Sequence, residues 1–132
     1  MRPEFVRFVT AEIEPDSNQP TGIIQAACRL RDGDALTVQA REELNAELEW
    51  FKSNLSEPDR FVLTRSKGFY RRQSVAISWF KAEADACIAH AERLGQMLKE
   101  CGVAVERLRT THPGYIVYED ALQVVTIPFR DR

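Results

Sequence analysis

Seven apolar positions, Phe80, Ala84, Cys87, Ala91, Leu94, Leu98 and Cys101, recur at steps of 4-3-4-3-4-3. Steps of three and four keep one face of a 3.6-residue helix. The pattern predicts a third helix that starts between Ser74 and Ser78 and ends at Gly102. A second stripe, Ala40, Leu44, Leu48, Phe51 and Leu55, predicts a helix from Thr37, its N-cap, to about Leu55. The opposite side of that helix is acidic, with Glu42, Glu43, Glu47 and Glu49. A shorter helix opens at Thr21 or Gly22 with Ile23, Ile24, Ala27, Cys28 and Leu30 inward. Asp32-Gly33-Asp34 stops it, and Gly33 is expected to supply a left-handed closing residue. Four of the seven seam residues of the last helix are Ala or Cys, and charges beside them are sparse. A partner helix within the domain, the second one, fits that seam better than a coiled-coil dimer.

Strand patterns flank the helices. Glu4 to Ile13 is rich in Phe and Val and reads as a strand. Phe5, Val9, Ala11 and Ile13 form one face, while Val6 and Phe8 occupy the other, so both faces should be covered. Glu14 to Pro20 reads as a loop. Phe61 to Thr64 suggests a short strand, with Ser66-Lys67-Gly68 as a turn. Near the end, Val103 to Thr110, Tyr115 to Tyr118 and Leu122 to Phe129 alternate with turns. His112-Pro113-Gly114 suits a type II turn, and Glu119-Asp120 marks the next. These three strands should form a meander. The order β-α-α-α-β-β-β makes an α+β fold, with helices on one face of a mostly antiparallel four-stranded sheet. Trp-Phe-Lys occurs at 50–52 and again at 79–81, but the flanks do not match, so we read no duplicated helix.

At 132 residues, 44% hydrophobic and 29% charged, the chain suits one domain, 1–132, with a core of its own. Net charge is −2, which argues against nucleic-acid affinity spread over the whole surface and permits a local basic patch. Charges at Arg2, Glu4, Arg7 and Glu12 interrupt any signal-like apolar stretch, and no run suits a membrane span. The expectation is a cytoplasmic protein.

Strong catalytic motifs are missing. The six glycines never form a nucleotide-binding loop, and no metal-ligand spacing is present. Cys28, Cys87 and Cys101 contain no C-x-x-C pair. Cys87 and Cys101, if they share a helix, stand about 21 Å apart, so all three read as small hydrophobes in a reducing compartment. His90 lies beside the apolar seam of the third helix. His112 opens a turn, where a short polar side chain is common; a general base there would need a nucleophile or substrate that the sequence does not point to. Glu119 and Asp120 are adjacent carboxylates of the kind that hydrogen-bond their own turn. No catalytic residue, cofactor or metal is expected.

Charge is segregated along the chain. Residues 1–59, 60–81 and 82–132 carry net charges of −6, +6 and −2. The middle stretch holds Arg60, Arg65, Lys67, Arg71, Arg72 and Lys81 with no acid, and five aromatics, Phe61, Phe69, Tyr70, Trp79 and Phe80. A helix beginning just after Arg71 and Arg72 would set cations against its positive end. An external anion held by the arginines, with Phe69 or Tyr70 stacking, would relieve that conflict. The internal reading lets the glutamates of the second helix neutralise the arginines and places Trp79 and Phe80 in the core. The candidate contact residues are Arg60, Arg65, Lys67, Phe69, Tyr70, Arg71 and Arg72, within a basic connector at 60–73.

Phe5-Val6-Arg7-Phe8-Val9, Ile77-Ser78-Trp79-Phe80-Lys81 and Pro113-Gly114-Tyr115-Ile116-Val117-Tyr118-Glu119-Asp120, with Gln123-Val124-Val125 and Pro128-Phe129 after them, bear a likeness. In these segments, and in their order, the chain resembles a group of small uncharacterised bacterial proteins of similar length. The resemblance implies a bacterial, cytoplasmic, single-domain protein and carries no activity with it.

Three functional readings follow. The first is a non-enzymatic accessory protein contacting an anionic macromolecule, an acidic protein surface or nucleic acid, through residues 60–81. The second is a small enzyme or ligand-binding domain for a phosphorylated or carboxylate ligand, with His112 or Tyr118 as acid/base. The third is a homodimer packed through an uncovered sheet face, to which Val6, Phe8, Val124, Val125 and Ile127 would contribute.

Overall fold

The β-branched and aromatic run Phe5–Ile13 becomes the strand on which the sheet is built. A computed structural model of the chain describes residues 3–15, 18–55 and 76–129. In order, these form β1 (Phe5–Ile13), β2 (Pro20–Gly22), α1 (Ile23–Asp32), α2 (Val38–Asn54), β3 (Ile77–Lys81), α3 (Asp85–Glu100), β4 (Val105–Thr110), β5 (Tyr115–Glu119) and β6 (Gln123–Ile127). The class is α+β, with three helices and six strands among the described residues rather than the four strands expected. Every strand pairing is antiparallel.

One edge of β1 pairs along its length with β4, from Phe5↔Thr110 to Thr10↔Val105. Its other edge is shared. β3 takes Phe5 and Val6, opposite Lys81 and Phe80, and β2 takes Val9 and Ile13, opposite Gly22 and Pro20. Arg7 and Phe8 fall between these two partners. Beyond β3 lie β6 and then β5. β4 and β5 therefore stand on opposite edges, and the expected meander does not form.

Residues 111–114 join those two edges. The four intervening strand spacings of about 4.8 Å each exceed the reach of the five Cα steps from Thr110 to Tyr115 at about 3.4 Å each. The sheet must curl to close that difference. Curling also accounts for a core cluster made of sheet residues alone, Phe5, Ile77, Trp79 and Val124, with Leu108 of β4 packed against it.

The other face carries the helices. Val6, Phe8 and Phe80 join Ile23 and Ala27 of α1, Leu44, Leu48 and Phe51 of α2, and Cys87, Ile88, Ala91, Leu94 and Leu98 of α3. Ala91, Leu94 and Leu98 are fully buried, and a buried Leu stabilises by about 1.5–3 kcal/mol. The close approach of α1 and β4 to α3 runs over Gly95, where a Cβ would lie 3.3 Å from Ile23 Cδ1 and 3.4 Å from Val105 Cγ1. So α3 packs on α1 as well as on the expected α2. Thr37 caps α2 as expected, its hydroxyl accepting from Ala40 N at 3.1 Å.

Several expectations are corrected. The third helix begins at Asp85, and Ile77–Lys81 is strand. Phe80 and Ala84 fit the heptad spacing because both are buried, one from a strand and the other from the helix cap. Asp85 stands in the first helical turn, where an acid suits the dipole. The conflict inferred between a helix start and Arg71 and Arg72 is therefore absent. Gly33 closes α1 in extended backbone (φ −88°, ψ −171°), not left-handed; its carbonyl accepts from the Arg41 guanidinium at 2.8 Å. β2, only three residues long, lies partly in the expected loop. The far end of β1 is exposed at Ala11 and Ile13. Val6, Phe8, Val124 and Val125 are at most 6% exposed within a single chain, so they form no uncovered face.

Gly114 has φ +128°, and a Cβ there would clash with Ile127 O. Strain and the backbone clash act together, so Gly114→Ala should lose about 1–3 kcal/mol, read as a lower denaturant midpoint with an unchanged m-value.

Candidate functional site

The seven residues singled out as a contact surface, Arg60, Arg65, Lys67, Phe69, Tyr70, Arg71 and Arg72, lie outside the described residues, as does the short strand expected at 61–64. The described end of the basic stretch is committed internally. Trp79 and Phe80 are core, and Lys81 Nζ meets Glu119 Oε2 at 2.6 Å.

The other candidates serve structure. His90 stacks on Trp50 with ring centroids 3.8 Å apart, and its Nδ1 lies 2.7 Å from Glu47 Oε1, which ties α3 to α2. His112 is exposed, with Nδ1 2.9 Å from the Thr111 hydroxyl. Tyr118 donates its hydroxyl to Asp120 Oδ2 at 2.9 Å. Asp120 also accepts from the backbone N–H groups of Leu122 (2.8 Å) and Gln123 (3.0 Å), which closes the β5–β6 turn. Burial pushes the Asp120 carboxyl upward, but these donors outweigh it and hold the pKa below the usual carboxylate range.

A cavity of about 570 Å³ opens between α1, α2 and the sheet, within the usual size range of small-molecule sites. On the sheet side it meets Val6, Phe8, Ser78, Phe80 and Gln123; α1 brings Ile23, Ile24, Gln25, Cys28 and Arg31; α2 brings Leu48, Glu49, Phe51 and Lys52. The lining is mainly apolar. It lies where β1 passes from one edge partner to the next, and Arg7 occupies that gap.

Arg7 holds the gap with its planar fork. Nη1 donates to Ser78 O on β3 at 3.0 Å, and Nη2 donates to Pro20 O on β2 at 2.9 Å. Gly22 lets the guanidinium lie close, since a Cβ would stand 3.3 Å from Nη1. Two backbone carbonyls carry no net charge, and Arg7 makes no ion pair among the described residues. Its Nε is buried without an acceptor. Burial lowers its pKa to about 10, which leaves a cation at neutral pH that no carboxylate among the described residues compensates.

The carboxylates at the rim do not fill that role. Glu14 accepts from both Arg29 terminal nitrogens at 2.9 Å and from the Thr21 hydroxyl. Those bonds, Arg29 first, lower its pKa to about 2. Glu49 is exposed. A signal for Arg7 was present in the sequence: it is the one charge inside Phe5-Val6-Arg7-Phe8-Val9, a stretch apolar on both faces.

Among the described residues, no group of three or more His, Cys, Asp or Glu gathers as a metal site, and no helix is long and apolar enough to cross a membrane. Comparison with family models, with curated proteins and with solved structures yields no match.

Asp120→Ala would leave the Leu122 and Gln123 amides without their acceptor and should cost about 1–3 kcal/mol. A carboxyl pKa depressed in the folded state contributes stability that is present above its unfolded value and is lost as pH falls through the folded one. In the wild type this share should fade below about pH 4. Urea titrations from pH 7 down to pH 3 should show the gap between Asp120→Ala and wild type narrowing at the acid end.

Proposed function

We propose that the protein is a non-catalytic binding domain that receives an anionic group in the cavity between α1, α2 and the sheet. The observation that carries this reading is Arg7, which lines the cavity, spends its guanidinium on two neutral carbonyls and makes no ion pair among the described residues. Leaving a charge buried and unpaired costs stability, and an anion supplied from outside would recover it. The enzymatic form of this reading has less support, because neither His112 nor Tyr118 lines the cavity.

A second reading retains the anionic macromolecule, protein or nucleic acid, contacted through residues 60–81. The observation in its favour is the +6 charge of that stretch between two acidic ones. Its ends bear on the first reading as well: Leu55 and Ala76, which flank residues 56–75, both line the cavity. A homodimer remains a third reading; the described large hydrophobics still exposed include Tyr115, Ile116 and Phe129 on the β5 side.

The two leading readings separate by mutation. The protein should be purified at low salt as wild type, as Arg7→Gln and as the double variant Arg71→Glu/Arg72→Glu, then denatured and its released material identified by mass spectrometry. A small anion should accompany the wild type and the double variant and be absent from folded Arg7→Gln. Nucleic acid or an acidic protein, lost only from the double variant and eluting steeply with salt, would replace the first reading with the second. A wild type that releases nothing, tested again with added acetate and inorganic phosphate and binding neither, would sink the first.

A further inference from the structure

The cavity's charge count and lining narrow the class of anion, and this step rests on the reading of the cavity as an anion receptor. Its charged lining residues are Arg7, Arg31 and Lys52 against Glu14 and Glu49, a formal surplus of one positive charge. Arg31 is itself engaged by Asp32 at 3.0 Å and by Asn45 at 3.1 Å, and Glu14 by Arg29. One guanidinium is therefore left to meet the ligand. A single surplus charge balances a monoanion. A phosphate dianion would bring a second negative charge beside Glu14 and Glu49, one more than the formal surplus of the lining balances.

The remaining wall selects for an apolar body. Phe8, Ile23, Leu48, Phe51 and Phe80 are core residues that also line the cavity. Apolar ligand surface placed against them leaves water at about 25 cal/mol per Å². A fully hydrophilic anion of any charge would forgo that term. Two of the five guanidinium N–H donors are spent on Ser78 O and Pro20 O. The second N–H of Nη1 and of Nη2 remain for the two oxygens of a carboxylate.

We infer that the cavity takes a small monocarboxylic acid with an apolar chain or ring, its carboxylate against the Arg7 guanidinium and its body against Phe8, Ile23, Leu48 and Phe80.

Cys28 gives a readout in the unaltered protein. It lines the cavity and is half-buried, whereas Cys101 is exposed just past α3 and supplies the internal control. The full chain is treated with N-ethylmaleimide in the presence of decanoate, decanamide, decyl phosphate or inorganic phosphate, and the rate at each cysteine is followed by mass spectrometry. Calorimetry gives the affinities. Decanoate should bind saturably and slow Cys28 while Cys101 reacts as before. Decanamide, the same body without the charge, should bind at least about tenfold more weakly, since a charge-assisted pair outweighs a neutral one by more than about 1.4 kcal/mol. Folded Arg7→Gln should bind decanoate and decanamide alike. If that variant fails to fold, the decanoate and decanamide comparison on wild type decides alone. Decyl phosphate or inorganic phosphate binding more tightly than decanoate would overturn the monocarboxylate and leave the anion receptor standing. Equal binding of decanoate and decanamide by the wild type, or protection of Cys28 by no anion, would overturn both.

Discussion

The sheet depends on how β1 divides one edge between two partners. A strand offers its ladder groups continuously, and β4 uses them continuously on one side. On the other side β3 and β2 meet β1 end to end and leave Arg7 and Phe8 unpaired by either. An open gap in a ladder exposes polar backbone, which must find partners. The Arg7 fork meets that need by donating to one carbonyl of each flanking strand. A lysine, with a single nitrogen, could not reach both with the same planar geometry. Holding β2 in place also fixes the start of α1, since β2 runs directly into that helix.

The same solution creates the unusual electrostatics. Satisfying two carbonyls with a guanidinium closes the hydrogen-bond deficit and imports a charge. Other half-buried charges of the described chain come paired, Lys81 with Glu119 and Glu14 with Arg29. Arg7 has no such partner among the described residues; Arg41 shares that state, donating to Gly33 O, but only Arg7 of the two lines the cavity. Structural necessity and ligand affinity are therefore two properties of one side chain, and variants at this position need a fold measurement beside every binding measurement.

What was legible in the sequence follows the range of the interactions. α1 and α2 emerge with their stop and cap residues because a 3.6-residue stripe and a Thr cap are local. The start of α3 was misplaced because burial, not helicity, sets the apolar spacing at Phe80 and Ala84. The error carried a chemical argument with it, since the opposition of Arg71 and Arg72 to a helix dipole existed only if the helix began beside them. Trp-Phe-Lys makes the point compactly: residues 50–52 are helical and residues 79–81 are a strand. The hairpin signal at Glu119-Asp120 was local and held, whereas His112-Pro113-Gly114 looked equally local and instead bridges the two edges of the sheet. The cavity was out of reach, because its walls come from residues near 7, 28, 50, 78 and 123 that only the fold brings together. The contact surface expected at 60–72 lies outside the described residues.

The pairing of Phe5 with Thr110 sets a timetable for the chain on the ribosome. The full-length partner of β1 is β4, made about a hundred residues later, and β3 follows the start of β1 by more than seventy. Closing such long loops is entropically slow. Synthesis at about 5–20 residues per second holds β1 for several seconds as an apolar strand with one edge open and the other met only at its far end by β2. In that interval Arg7 is a charge in the middle of the stretch most prone to pair with a neighbouring chain. The residue that later closes a gap in the sheet thus first serves as a gatekeeper against aggregation of the nascent chain.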